Sequence, residues 1–346
     1  MNAFITLFAC FSSLSLLANG AFFTCSDIVE KMSDCKKLTE TKGSFEVHGL
    51  TITYWVYEDK ENRDHLMDPI IVVNGGPGAS SAYMQPLKQL ACRGRKVIRY
   101  DQGGTGESFI ANVTKNAPFL LEIPYYVDEL QALVKHLGLE KYHLLGHSWG
   151  TVVAQEFAMT EPEGMLGLVL VGALSSGRFY IESQREVRHK SLPPYLQKLL
   201  KQFEASGDWN SPLYEAVNTY LTGLWTSRLI PMPDCVEDAF AGINMEIYVD
   251  INGPSEFTMS DKLLNWDVTG KVDGLKYPTT VIGGEHDTMT YDCLTHVANG
   301  IQNSELKIIP NAGHMSFIDN PDLFMDYLQE FLVTHDSSSE KRNEEL

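Results

Sequence analysis

The stretch KYHLLGHSWGTVVAQEFA (141–158) decides the fold. It opens on a short apolar run, turns through Gly146-His147-Ser148-Trp149-Gly150, and continues as the helix-like TVVAQEFAMTEPE (151–163). Strand, tight turn and helix in that order are the setting in which a G-x-S-x-G serine is lifted above a sheet edge. The glycines belong there because a Cβ in so tight a turn would collide with its neighbours. The hydroxyl then sits at the start of a helix, whose dipole favours negative charge developing beside it. A bare G-x-S-x-G is a common accident, so the rest of the chain has to supply the context.

Working outward, the same short apolar run recurs in PIIVVNGGPG (69–78), KVIRYDQGGTG (96–106), LGLVLVGAL (166–174), TTVIGGEHD (279–287) and LKIIPNAGH (306–314). Helical patterns alternate with them, notably PYYVDELQALVKHLG (124–138) and PDLFMDYLQEFLVTH (321–335). Buried strands alternating with amphipathic helices predict an α/β fold: a mostly parallel sheet with helices on both faces. SFEVHGLTITYWVYED (44–59) alternates apolar and polar residues around His48-Gly49, which predicts a hairpin. The strand–helix alternation stops between about Ser175 and Trp266, where the chain is helix-like and rich in aromatics. This predicts a helical cap (175–265) inserted into a core made of 21–174 and 266–335, with a disordered tail at 336–346.

Partners for Ser148 stand in the order Ser, Asp, His. Asp287 ends TTVIGGEHD and His314 ends LKIIPNAGH, each just past a strand, where open α/β sheets collect functional groups. A serine hydroxyl is a weak nucleophile at neutral pH, so an imidazole must take its proton while a carboxylate fixes the imidazole tautomer. Ser148, His314 and Asp287 are therefore the expected nucleophile, base and orienting acid. His147, His286 and His296 compete as bases, and Glu285 and Asp292 as acids. His147 and His286 flank other candidates, while His296 and Asp292 fall in the next helix and Glu285 earlier in the turn. The oxyanion hole is expected from the backbone N–H of Trp149 and one in Asn74-Gly75-Gly76-Pro77-Gly78, with Gly75 preferred and Gly76 the alternative. The chain has no Walker loop, dinucleotide fingerprint, CxxC or HExxH, so neither a cofactor nor a metal is expected.

With 44% hydrophobic and 21% charged residues, the 346-residue chain has the balance of a folded globular protein. Its net charge of −18 argues against nucleic acid as a partner, which needs a concentrated basic surface. MNAFITLFACFSSLSLLANG (1–20) is uncharged and apolar and ends in small residues, as a cleaved signal peptide does; an uncleaved anchor is the alternative. No later segment approaches membrane-spanning length, so no stable membrane insertion is expected after cleavage, and secretion is favoured. The terminal Asn343-Glu344-Glu345-Leu346 loosely resembles an ER-retention signal, which keeps the ER lumen as an alternative. Cys25 and Cys35 lie close enough in sequence to bridge locally. Asn112-Val113-Thr114 is a glycosylation sequon and places Asn112 at the surface if used.

Several motifs resemble the proline iminopeptidases and the related tricorn-interacting aminopeptidases, a family of the α/β-hydrolase fold. The family's H-G-G-P-G is Asn74-Gly75-Gly76-Pro77-Gly78 here, and its D-Q-x-G-x-G-x-S runs from Asp101 to Ser108. The elbow is GHSWG, and the acid and base fall in GGEHD and AGH. INGPSEF (251–257) is similar to the family's N-G-P-x-E-F, whose glutamate binds the substrate's free α-amino group; this implies that role for Glu256. The match to YEAVNTY (214–220) implies Glu215 as a second amine ligand. Two positions depart from the family: Asn74 replaces a histidine, and Gly103 replaces a frequent arginine. The resemblance implies a serine exopeptidase that acts on peptides with a free N-terminus, with proline the favoured residue. An ester or amide hydrolase of the same fold is the alternative enzyme. A secreted binding protein that keeps the fold without turnover is the alternative of another class, and the intact Ser-Asp-His set argues against it.

Overall fold

The computed structural model describes residues 24–25, 38–61, 67–229 and 231–337. The expected leader, Cys35 and the last four residues lie outside the described residues. Eight strands form one sheet in the order β1-β2-β4-β3-β5-β6-β7-β8. They are β1 (Leu38–Val47), β2 (Leu50–Asp59), β3 (Ile70–Val73), β4 (Val97–Tyr100), β5 (Tyr142–His147), β6 (Met165–Val171), β7 (Thr279–Gly284) and β8 (Ser304–Ile309). β1 and β2 pair antiparallel, as do β2 and β4; every later neighbour is parallel. All residues of β3, β4, β5 and β7 are buried, because helices cover both faces of the parallel strands.

The hairpin turns at His48 and Gly49, with φ of 48° and 78°. Positive φ at both central residues matches the twist of the strands they join. β1 begins earlier than the alternating pattern suggests. Its first half, LTETKG, belongs to a solvated edge strand and has no apolar period to read.

Between β6 and β7 the chain runs through a helical insertion. After α1 (Ile123–His136) and α2 (Trp149–Met159) come α3 (Gly177–Ser191), α4 (Pro194–Ser206), α5 (Pro212–Trp225), α6 (Asp234–Ala241), α7 (Met245–Ile251) and α8 (Asp261–Leu264). The neck of the insertion is pinned where Gly177 N–H donates to the Trp266 carbonyl at 3.0 Å and Val268 N–H to that of Ser175 at 2.9 Å. α9 (Tyr291–Gly300) and α10 (Pro321–Thr334) then close the fold. A satellite core of Val187, Leu192, Leu200, Tyr214, Leu221 and Phe257 holds the insertion together. Among the described residues, no helix is long and apolar enough to cross a membrane.

Two expectations need correction. Cys25 does not bridge to Cys35 but to Cys235, 210 residues away at the start of α6. The Cys25 N–H also donates to the Asp234 carboxylate at 2.8 Å, so Cys25 is tied to the insertion by its backbone as well as its sulfur. Cys92 is also disulfide-bonded, and Cys293 is free and buried. The second correction concerns the tail, which was expected to loosen from residue 336. Asp336 is buried instead, with both carboxylate oxygens on the Arg95 guanidinium at 2.7 and 2.8 Å and His143 Nε2 at 3.2 Å. The Ser337 N–H then donates to Asp68 at 2.7 Å. The fully buried Arg95 guanidinium at the far end of the sheet requires a counter-charge, and Asp336 supplies it.

Candidate active site

Ser148 sits between β5 and α2 with φ 55° and ψ −123°, a conformation non-glycine residues rarely adopt. The turn tightens around it. A Cβ on Gly150 would lie 2.3 Å from the Val73 carbonyl oxygen, so no larger residue fits. The helix of the elbow leaves its first N–H groups without intrahelical partners, and the Trp149 N–H is among them.

Asp287 and His314 arrive from loops after β7 and β8, at the same sheet edge as Ser148. His314 Nδ1 lies 2.7 Å from Asp287 Oδ1, and both residues are buried. Asp287 Oδ1 also accepts the Met289 N–H at 2.8 Å, which fixes the carboxylate in its turn. Burial pulls the His314 pKa down, but the charge and hydrogen bond of Asp287, helped by Glu256, outweigh it and leave the value raised. His314 Nε2 is buried and has no hydrogen-bond partner among the described residues. An imidazole held in this way can take a proton from a group placed before it.

Of the competing residues, Glu285, Asp292 and His296 lie away from the His314–Asp287 pair, whereas His147 packs against His314 with ring centroids 4.7 Å apart. Glu285 is exposed and accepts the Asn311 N–H at 3.0 Å, and Asp292 is exposed on α9. His296 stacks on Phe179 with ring centroids 4.4 Å apart. The His314 loop is braced by the insertion, since the His314 and Met315 N–H groups donate to the carbonyls of Trp225 and Thr226 at 2.8 Å each. Asp319 secures the same junction, accepting from Gly313 N–H at 2.7 Å, Arg228 N–H at 2.9 Å and Ser227 Oγ at 3.0 Å.

The glycine loop approaches Ser148 closely, for a Cβ on Gly75 would stand 2.5 Å from the Ser148 Cβ. Asn74 takes over the anchoring of this loop. Its Nδ2 donates to the carbonyls of Gly75 and Ala79, both at 3.0 Å. Gln102 Nε2 donates to the Asn74 carbonyl at 2.9 Å, and Gln102 Oε1 accepts the Trp149 indole N–H at 3.0 Å, joining loop to elbow. The Gly75 N–H donates to the Tyr83 hydroxyl, whereas the Gly76 N–H has no partner among the described residues. Where the family often has arginine, Gly103 leaves its N–H on the buried Glu129 carboxyl at 2.7 Å. Burial pushes the Glu129 pKa up to about 8.

Ser148 opens onto a small cavity whose lining includes Trp149, Leu174, Tyr180, Glu256, Met259 and Met289. Glu256 is thus brought to the cavity that Ser148 lines. It is held there by the Tyr248 hydroxyl, which donates to Oε1 at 2.6 Å, and by the Tyr180 hydroxyl, which donates to its carbonyl. Burial, and next the Glu256 charge, raise the pKa of both tyrosines well above the ordinary phenol value, so both remain donors. Glu215 is buried on α5 and is not among the residues lining this cavity. Asn112 is exposed before a short helical turn. Sequence reasoning missed Tyr83, Tyr180 and Tyr248, whose only signal was the density of aromatics. A larger depression near Trp55, Tyr57 and Arg99 has no histidine in its lining to activate Ser80, and its Arg99 is already engaged with Tyr57 and Ser81.

Residues 68–321 match the α/β hydrolase fold family. The chain is similar to a proline iminopeptidase of Lactobacillus helveticus, with 34% identity over 78% of this chain and 90% of that protein. A proline iminopeptidase of Saccharolobus solfataricus is 31% identical over 84% of this chain and 92% of its own length. The crystal structure of proline iminopeptidase from Mycobacterium smegmatis superposes with a TM-score of 0.79 at 28% identity, covering 86% of this chain and 100% of that one.

Proposed function

Because this chain belongs to the proline iminopeptidase family of α/β hydrolases, we propose that it is a serine exopeptidase releasing an N-terminal residue, with proline favoured. The observation that carries this reading is the buried His314–Asp287 pair at the sheet edge where Ser148 opens onto a cavity containing Glu256. Ser148 Oγ attacks the first peptide carbonyl while His314 Nε2 takes its proton. Asp287 keeps the other imidazole nitrogen protonated and balances the charge that forms. The oxyanion is met by the N–H of Trp149 and by an N–H of the glycine loop; Gly75 is the expected donor, but its N–H is held by the Tyr83 hydroxyl, so the unpartnered Gly76 N–H takes the part. His314 then returns the proton to the leaving amine, the C–N bond breaks, and water repeats the sequence on the acyl-enzyme. Neither a metal nor a cofactor is needed in these steps.

Exopeptidase action requires recognition of the free amine. Glu256 does this by a charge-assisted hydrogen bond, roughly twice as strong as a neutral one. Glu215 acts as a weaker second ligand, since it lies off the cavity lining. Trp149, Val152, Leu174, Met259, Leu263 and Met289 offer the N-terminal side chain an apolar wall suited to a compact ring. Glu256→Gln is expected to lower kcat/KM for aminoacyl-coumarin substrates at least about tenfold, and Glu215→Gln less. Hydrolysis of a small ester without an amine should hardly change. Equal loss on both substrates would make Glu256 a structural residue and leave a general ester or amide hydrolase.

The enzyme works in the secretory pathway, with Asn112 glycosylated. The apolar leader and the Cys25–Cys235 bridge support that compartment, since disulfides persist in oxidising surroundings. Expressed in a eukaryotic cell, the full chain should reach the medium carrying an endoglycosidase-sensitive glycan. Its recovery in the cytosol without glycan would refute this. A rise in secretion on deleting residues 343–346 would instead identify retention in the ER.

A further inference from the structure

His147 stands beside the nucleophile, yet the mechanism above gives it no part. Its ring is buried between His314, with centroids 4.7 Å apart, and Phe317, edge-on at 5.2 Å. His147 Nε2 lies 3.1 Å from the His314 carbonyl oxygen, and Nδ1 lies 2.8 Å from the Tyr83 hydroxyl. The Tyr83 oxygen in turn receives the Gly75 N–H.

The direction of every proton in this chain follows from its ends. A carbonyl oxygen can only accept, so His147 carries its proton on Nε2. Burial, and then the nearby His314, hold the His147 pKa well below the usual histidine range, so the ring is neutral and Nδ1 is a lone pair. Tyr83 must therefore donate to Nδ1. Its oxygen is left to accept from Gly75, whose N–H can only donate. One polarised line runs from the glycine loop through Tyr83 and His147 to the peptide of His314. The His314 N–H, in the preceding peptide unit, donates to the Trp225 carbonyl at 2.8 Å, so residue 314 is held at both its N–H and its C=O.

We propose that Tyr83 and His147 are positioning residues for the hydrolytic reaction, forming a fixed hydrogen-bond relay that sets the oxyanion loop and the peptide carrying the base in register with each other. The inference rests on the reading of Ser148 as nucleophile and His314 as base. Neither Tyr83 nor His147 exchanges a proton with substrate. They act by holding Gly75 and His314 before substrate arrives, which spares the reaction that reorganisation. Because His147 stays neutral, it adds no positive charge beside His314 when that ring becomes an imidazolium.

The test uses the intact protein and two readouts, the rate of Ser148 labelling by a fluorophosphonate and steady-state turnover of an aminoacyl-coumarin. Labelling forms the Oγ–P bond and expels fluoride, so it needs nucleophile, base and oxyanion donors but no amine recognition. Tyr83→Phe and His147→Gln should each label about tenfold or more slowly and lose kcat to match, with KM and melting temperature close to wild type. The double variant should be within about twofold of the slower single one, since breaking one line twice costs little more than breaking it once. Multiplying effects would overturn the relay, as would Tyr83→Phe labelling within twofold of wild type. A wild type left unlabelled at Ser148 would remove the hydrolase reading itself and the relay with it.

Discussion

Ser148→Ala is expected to lower kcat by several orders of magnitude, about ten-thousandfold to a millionfold, while leaving the melting temperature nearly unchanged. The two outcomes are expected to separate because the proposed role of the hydroxyl lies in the chemistry and the fold makes no use of it. Among the described residues the Ser148 side chain has no hydrogen-bond partner, whereas its backbone N–H is bound to the Val171 carbonyl at 2.9 Å. Alanine keeps that backbone bond and tolerates the φ of 55° about as well as serine does. It leaves no buried polar atom stranded. Turnover of an aminoacyl-coumarin, with a thermal melt of the same samples, reads both. Retention of even a tenth of wild-type turnover would sink the assignment of Ser148.

The second large effect is expected at Asp287. Asp287→Asn should reduce kcat by roughly ten-thousandfold, because a neutral amide neither holds His314 in the tautomer that leaves Nε2 free nor balances its positive form. The pH profile supplies an independent sign. His314 must be neutral to act as base, so kcat/KM rises with pH through its pKa. In the wild type Asp287 raises that pKa against burial, placing the acid limb above the ordinary histidine value. With the carboxylate gone, burial is unopposed by its main counterweight, and the limb should move to lower pH as the plateau collapses. A variant with more than a tenth of wild-type kcat, or with the limb unmoved, would remove Asp287 from this role.

Much of the site was legible because its parts belong to local patterns. Asp287 and His314 each end an apolar strand segment, and parallel topology brings such ends to one edge. Glu256 was reached by resemblance, and the cavity places it on the same side as Ser148. Glu215 illustrates the limit. A helical pattern does not say which face of α5 meets the nucleophile, and that residue lies off the cavity lining.

By itself the sequence determined the strand–helix alternation, the elbow and the order of Ser148, Asp287 and His314, all matters of period and spacing within a few residues of chain. Tertiary structure alone decided that Cys25 pairs with Cys235, that Asp336 answers Arg95, and that Tyr83 and His147 connect Gly75 to His314. Apart from the Gly75–Tyr83 link, 8 residues long, those partners stand 64 to 241 residues apart in the chain. Burial is what selects them. A polar or charged group withdrawn from water needs a partner wherever packing can supply one, and only the packed fold decides which residue that is.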